Sequence, residues 1–524
     1  MKIIFTFSAF VVGIFSVAYG QRVGIGTTTP SNVLHVISTA DPLRLEGLSS
    51  GAATDSVLTA NATGVVRRRT LASAISSAGW ALAGNTATNP ANQFIGTTDL
   101  VSLVFRTNNL RSGFIDFDST KRNNSFGNRA MSVTITGSGN NAFGYQAMRS
   151  LTSGTNNTAI GDSAAFSLNT GADNVAIGSD AGRSIQNGIQ NVAIGSRTLS
   201  GEAAGSNNVA IGYRAMEISL GSENVAIGAT ALAANIAGTN NIAIGSNSLA
   251  SNTSGYNNLA IGNDALSALM TGYENLGIGY HVGITSTTQV QNTLVGHYAF
   301  SSLIPTNSAS YNTMLGFQAG GKMTGGNNNV AIGFLAMGNI ITSNSNTFVG
   351  YAADASSTSV TNCGAFGNGA TVAATNQYRF GNSSVTSIGG QVGWTTLSDE
   401  RVKTNILENV QGLEFIAKLR PVTYNYSLDK IDNWQKAKPT TNTYNTANTT
   451  TRFSGFLAQE VLKTSKETGY NFSGVDIPEN DKALYGIRYA EFVVPLVKAV
   501  QELKAIVDQQ QEQIKQLEIK LKNK

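Results

Sequence analysis

The sequence predicts a mainly β protein: a trimeric parallel β-solenoid or β-roll fibre, then a small α+β C-terminal domain ending in a coiled-coil helix. Three observations predict it. A Gly/Asn-rich unit recurs with a spacing of 17 residues over about half of the chain. The charge pattern changes abruptly near residue 390: Lys2, Lys121 and Lys322 are the only lysines before it, and fourteen follow it. The end of the chain carries heptad spacing of apolar residues.

At the N-terminus, Lys2, an apolar run from Ile3 to Val17 and the small residues Ala18 and Gly20 read as a signal peptide over 1–20. The run is short for a bilayer span. No later stretch approaches 18 apolar residues, so the chain is expected to be secreted, extracellular or at a cell surface, with no membrane span after signal removal. Residues 21–122 are less regular and are expected to form a β-rich stalk or head-like region of short hairpins. Val23-Gly24-Ile25-Gly26, Leu34-His35-Val36, Trp80, Leu82, Gly84-Asn85 and Phe94-Ile95-Gly96-Thr97 resemble the start of tail-fibre-like bacterial surface proteins. Arg67-Arg68-Arg69 reads more readily as a solvated strand end than as an anionic-glycan site.

Composition excludes several classes. Only 13% of the 524 residues are charged, against roughly 25% in ordinary soluble proteins. Glycine (56 residues) is frequent but not at every third position, which excludes collagen, and proline (8) is too scarce for Pro-rich disorder. A net charge of +4 over this length does not imply a nucleic-acid partner. Cys363 is the only cysteine, so no intrachain disulfide forms; it is read as a small packed residue at a position held by Thr or Val in neighbouring units.

The repeat, placed over 123–390, is clearest at 174–178, 208–212, 224–228, 241–245, 258–262 and 329–333, each running from Asn through a branched–Ala–Ile core to Gly. Fifteen such glycines run from Gly127 to Gly367, 17 apart except for 16 between Gly212 and Gly228 and 20 between Gly296 and Gly316. In Val175-Ala176-Ile177 the branched residues face one side of a strand and alanine the other. Glycine then permits a corner at positive φ. Four residues on comes a further apolar residue: Met216, Leu232, Leu249, Leu266, Phe300 or Met337. Two short strands and two corners per unit make one turn of a parallel solenoid, and turns about 4.8 Å apart give a rod of roughly 70 Å. Three large apolar side chains per turn is a thin core, so burial of a further face in a homotrimer is expected. The units resemble the head repeats of trimeric autotransporter adhesins, which carry the same Val-Ala-Ile-Gly core behind an asparagine. That resemblance implies a trimeric β-roll that binds a surface glycan or a host or matrix protein. The family's C-terminal membrane barrel has no counterpart here.

The rod shows no enzyme pattern. Glycoside hydrolysis needs two carboxylates about 5 to 9 Å apart, whereas Asp162, Asp173, Asp180, Glu202, Glu217, Glu223, Asp264, Glu274 and Asp354 are spread over many turns. His281 and His297, 16 apart, are read as surface or packed residues rather than a metal pair. No metal or cofactor is expected. A polysaccharide-degrading spike is therefore the weaker alternative, beside a phage or prophage-type tail fibre.

From Trp394 the pattern changes. Over 391–495 occur Thr396-Leu397-Ser398-Asp399-Glu400-Arg401-Val402-Lys403-Thr404-Asn405, then Leu419-Arg420-Pro421-Val422-Thr423-Tyr424, Gly455-Phe456-Leu457-Ala458-Gln459-Glu460-Val461, and Tyr489-Ala490-Glu491-Phe492. This set resembles the intramolecular chaperone domain of phage endosialidase tailspikes, also found in myelin regulatory factor. The resemblance implies a domain that trimerises, nucleates the fibre ahead of it and cuts itself off. It implies Ser398 as nucleophile at the Leu397–Ser398 bond, Lys403 as its base partner, single turnover in cis, and Asp399, Arg401 and Asn405 as motif residues. The chemistry is compatible: no histidine follows His297, which leaves no Ser-His-Asp triad within this domain, and a desolvated lysine can serve as base. Five residues is not a same-face spacing on a helix or strand. The pair therefore needs a turn between its members or a neighbouring subunit. The alternative is a helix capping box over 396–399, with Lys403 a solvated helix residue.

Over 496–524, Leu496, Val500, Leu503, Val507, Gln510, Ile514, Leu517 and Leu521 alternate spacings of four and three, a coiled-coil seam with one polar interruption. The seam predicts self-association; its trimeric order is implied by the resemblances.

Overall fold

A computed structural model describes residues 23–25, 34–36, 56–60, 66–70, 94–131, 135–201, 205–302, 309–427, 430–431, 450–481 and 483–524. The signal-peptide segment, Trp80, Leu82, Gly84, Asn85 and Glu202 lie outside the described residues. The chain divides into two units, Met1–Gly96 and Thr97–Lys524. In the first, Val23–Ile25 pairs in parallel with Leu34–Val36, and Ser56–Ala60 pairs antiparallel with Val66–Thr70, the strand that holds Arg67 to Arg69.

The second unit opens with an antiparallel hairpin, Leu103–Thr107 with Leu110–Ile115, whose second strand pairs antiparallel with Asn124–Phe126. Every later strand of this ladder is parallel, one per turn, in the register of the repeat: Val175 lies opposite Val192, and Ala176 opposite Ala193. The last strand, Tyr378–Phe380, pairs with Gly364–Phe366. The hairpin thus covers the sheet edge that the first turn would otherwise leave open.

Two expectations about the turn need correction. Only one three-residue strand forms per turn, and a second, two-residue strand is present only in the last turns, where Asp354–Ala355 pairs in parallel with Thr371–Val372. The other side is a run of turns in which residues two and four places after the glycine take left-handed backbone, as at Arg214 (φ 56) and Met216 (φ 49). Their amides still bond between turns, Arg214 N–H to Ser196 O and Met216 N–H to Ala231 O. The ladder therefore continues without β geometry, and these bonds offset the cost of left-handed conformations in side-chain-bearing residues.

The core is also thinner than the count of branched residues implies. Alanine faces inward and is fully buried at Ala176, Ala193, Ala210 and Ala226, packed with Met216, Leu232 and Leu249 and, in some turns, Leu168 or Ile185. Each fully buried Leu or Met contributes roughly 2 kcal/mol. The branched residues face outward: Ile160, Ile227 and Ile242 are 43%, 37% and 39% exposed. The physical reason is width: most turns hold only a methyl group opposite Leu or Met, and where Leu294 or Met314 fills the inward slot a glycine, Gly283 or Gly320, makes room beside it.

A buried asparagine precedes each inward alanine by two positions and forms a ladder along the rod. Asn241 donates its side-chain amide to Asn224 Oδ1 (3.2 Å) and to Gly255 O (2.8 Å), while its own Oδ1 accepts from the Asn258 backbone (3.1 Å) and side chain (3.0 Å). Every buried donor and acceptor of Asn241 is thereby used. Cys363 occupies the next asparagine slot after Asn346, not the Thr/Val slot: its amide bonds to Asn346 Oδ1 at 3.1 Å. It is buried as expected, and burial pushes its thiol pKa up.

The corner glycine is required twice over. Gly228 has φ 136, and a Cβ there would lie 2.5 Å from Gly245 O in the next turn.

The C-terminal domain packs helix α1 (Leu413–Lys418), α2 (Ala458–Glu467) and α3 (Val493–Lys522) with two short antiparallel strand pairs, Val422–Tyr424 with Phe453–Gly455 and Val475–Asp476 with Gly486–Ile487. Its core is aromatic: Phe415, Phe472 and Phe492 with Val461. Phe472 meets Phe492 edge-on at 4.7 Å. Pro495 sits in the first turn of α3, where its missing N–H costs no helical bond. Asn480 Nδ2 donates to Ala373 O (3.1 Å), so a loop of this domain rests on the last turn of the solenoid.

Candidate functional site

Residues 393–399 have no regular secondary structure and are mostly exposed. Within them Trp394 continues an outward aromatic column spaced by 14 residues: Phe366 stacks on Phe380 at 5.0 Å, and Phe380 meets Trp394 at 6.1 Å. The solenoid's outer face thus extends to within four residues of Ser398. Leu397 is 78% exposed, which leaves the Leu397–Ser398 peptide free of any packed element.

A single 3-10 turn, Glu400–Val402, separates Ser398 from Lys403. Asp399 caps it, its carboxylate accepting from the Arg401 amide at 2.9 Å. The same carboxylate is gripped by the Arg401 guanidinium, with Nη2 to Oδ2 at 2.5 Å. This pairing holds the Asp399 carboxyl below the usual carboxylate range, so the cap keeps its charge in mildly acidic solution. The Lys403 amide closes the turn on Glu400 O at 3.0 Å. Asn405, just beyond, adopts left-handed backbone (φ 55), which asparagine tolerates better than most residues.

The consequence of the turn is geometric. Lys403 Nζ lies 2.7 Å from Ser398 Oγ, a hydrogen bond with the amine as donor. A turn within one chain, one of the two arrangements the five-residue spacing left open, brings the pair together. A cap is present as well, but it is Asp399 on a one-turn helix that ends before Lys403. Both Ser398 and Lys403 are exposed in the single chain. A lysine acts as base when its neutral form is favoured by desolvation, so the pair has the distance but not the covering.

Residues 398–470 match the family described as chaperone of endosialidase. The match opens at Ser398 and ends before α3. No curated protein matches the chain. The body ahead of the chaperone domain is the β-solenoid, and among the described residues no helix is long and apolar enough to cross a membrane.

Two further features of the chaperone domain bear on assembly. α3 buries Pro495 and Ala499, and its Glu502 accepts from the Leu413 amide at 2.7 Å, docking it on α1. The heptad residues remain open: Val500, Leu503, Ile514 and Leu517 are 64%, 49%, 55% and 58% exposed. A cavity of about 250 Å³ beside α2, lined by Lys418, Arg420, Phe456 and Glu460, shares no residue with the Ser398 segment. On the rod, His281 pairs with Asp264 (3.2 Å) rather than with His297. Asp180 pairs with Arg183 and Glu217 with Arg197 and Arg214, so these carboxylates lie beside cations. The Asp399 cap and the inter-turn asparagine bonds were not foreseen as structural devices, although the Asn in every unit and the Asp-x-Arg spacing were signals for both.

Proposed function

We propose that the protein is a secreted homotrimeric surface fibre whose C-terminal domain drives trimer assembly and then releases itself by cutting before Ser398. The observation that carries this reading is the 2.7 Å approach of Lys403 Nζ to Ser398 Oγ at the first residue of the chaperone match. In the proposed step, neutral Lys403 takes the Ser398 hydroxyl proton as Oγ attacks the Leu397 carbonyl carbon. Lys403 returns that proton to the Ser398 nitrogen as the C–N bond breaks, so the nitrogen leaves as an amine, Lys403 is neutral again and Leu397 is held as an ester on Oγ. Water then hydrolyses the ester, giving a Leu397 carboxylate and a free Ser398 hydroxyl.

Assembly supplies what the single chain lacks. Trp394, Leu397, Val402, Ile406 and Leu407 surround the pair in sequence and are 86%, 78%, 63%, 69% and 69% exposed. Burying them between three chains would desolvate Lys403 and favour its neutral form. The outward branched residues of the solenoid and the open seam of α3 are apolar faces of the kind that association covers. Sedimentation of the full chain tests the assembly: three chains per particle are expected for an uncut Lys403→Ala variant. A stable monomer at micromolar concentration would overturn the trimeric reading.

A further inference from the structure

The cations of the solenoid are concentrated in its first turns, with Lys322 and Arg379 the exceptions. Between residues 121 and 214 stand Lys121, Arg122, Arg129, Arg149, Arg183, Arg197 and Arg214; from 215 to 378 the only lysine or arginine is Lys322. Five of the arginines share one strip, because only two slots of the turn carry them, two and five residues after the corner glycine. The ion pairs show that these slots adjoin. Arg183 meets Asp180 within one turn (2.6 Å), Arg214 meets Glu217 within another (2.5 Å), and Arg197 reaches Glu217 across turns (3.2 Å).

The strip is ordered as well as charged. Phe166 lies in the turn between Arg149 and Arg183, and their guanidinium carbons stand 5.7 and 5.3 Å from its ring centroid. The ring holds two cations apart at roughly 10 Å, two turns of the ladder. Arg183 spends one N–H on Asp180 and keeps the others for a ligand, and a guanidinium fork such as that of Arg149 suits bidentate capture of a carboxylate or sulfate. Among the described residues no ion pair engages Arg129 or Arg149. Five arginines face two carboxylates, so the strip carries a net positive charge. It lies on the turn side of the rod, not on the strand that carries the outward branched residues.

We propose that this strip binds a linear acidic polysaccharide along the rod axis. Spaced guanidinium groups would take its carboxylates, and Gln146, Asp180 and Glu217 in the same slots would accept from its hydroxyls. A nucleic acid fits less well. The two carboxylates would oppose a continuous phosphate chain, and the faces of Phe166 are taken by arginine rather than left for base stacking. The proposal names a ligand class for the displayed rod and rests on that part of the functional reading, not on self-cleavage.

The test uses the full chain and its uncut Ser398→Ala form over immobilised alginate, dextran and duplex DNA at about 0.15 M salt. Both forms should bind alginate alike, weaken as salt rises, and ignore dextran. Arg149→Ala with Arg183→Ala should weaken alginate binding by about tenfold or more, Phe166→Leu by a smaller factor with the charges intact, and Lys322→Ala not at all. Equal binding by the double variant, no binding to alginate, or tighter binding to DNA would each overturn the proposal. Loss of binding only in the cut form would instead point to a defect in the self-release reading.

Discussion

At the scale of single residues, the most consequential contact is the one between Lys403 and Ser398, and its chemistry separates charge from basicity. Lys403→Arg would keep the cation and the donor to Ser398 Oγ, but an arginine does not lose its proton in proteins. The expected outcome is a folded, uncut chain for both Lys403→Arg and Lys403→Ala on a denaturing gel; normal cutting by the arginine variant would show that the lysine only positions the serine. The asparagine ladder makes a second prediction at this scale. Asn241→Ala removes the acceptor for both the backbone and the side chain of Asn258 and strands buried groups on both neighbouring turns. A loss of about 3 kcal/mol is expected from leaving such groups unpaired, measured by urea unfolding in the uncut background. A change within about 0.5 kcal/mol, the range of ordinary surface substitutions, would mean that water replaces the ladder.

At the scale of elements, the alternation of branched residue and alanine was legible as a strand, but not which side faced in. A period of two is symmetric, and only the narrowness of the roll decides that Ala176 and Ala193 are inside and Val175 and Ile177 outside. The second strand was misread because an apolar residue four places after each glycine is equally compatible with a left-handed turn path, as Met216 and Leu232 show. Cys363 was placed in the wrong slot because Gly364 there replaces the branched residue; hydrogen bonding to Asn346 sets the register instead. The site was more legible. The Ser398-to-Lys403 spacing called for a turn or a neighbouring subunit, and a turn is present, while the Asp399 cap was signalled only by the spacing of Asp399 and Arg401. α3 carries the prediction that belongs here. Its seam residues are open while Ala499 and Glu502 tie the helix to α1. Leu503→Asp together with Leu517→Asp should leave the domain folded by circular dichroism but shift it to monomer, with cutting lost as well. Retained cutting in a monomer would separate the chemistry from assembly.

At the scale of the whole molecule, the parts form one sequence of events. A Gly-rich rod with a methyl-lined core has little to gain from winding its first turn alone. A neighbouring domain that holds three chains in register would lower the entropy cost of that first turn. The contact of Asn480 with Ala373 places the domain at the end of the rod where such templating would act. Cutting before Ser398 would leave the rod with its outward column complete to Trp394, and would remove the template. The most direct test of this account is the intact mass of the purified wild type beside Ser398→Ala. The account predicts a fragment of about 14 kDa running from Ser398 to Lys524 in the wild type alone. Full-length wild type in an assembled trimer, or a cut at any other bond, would contradict it.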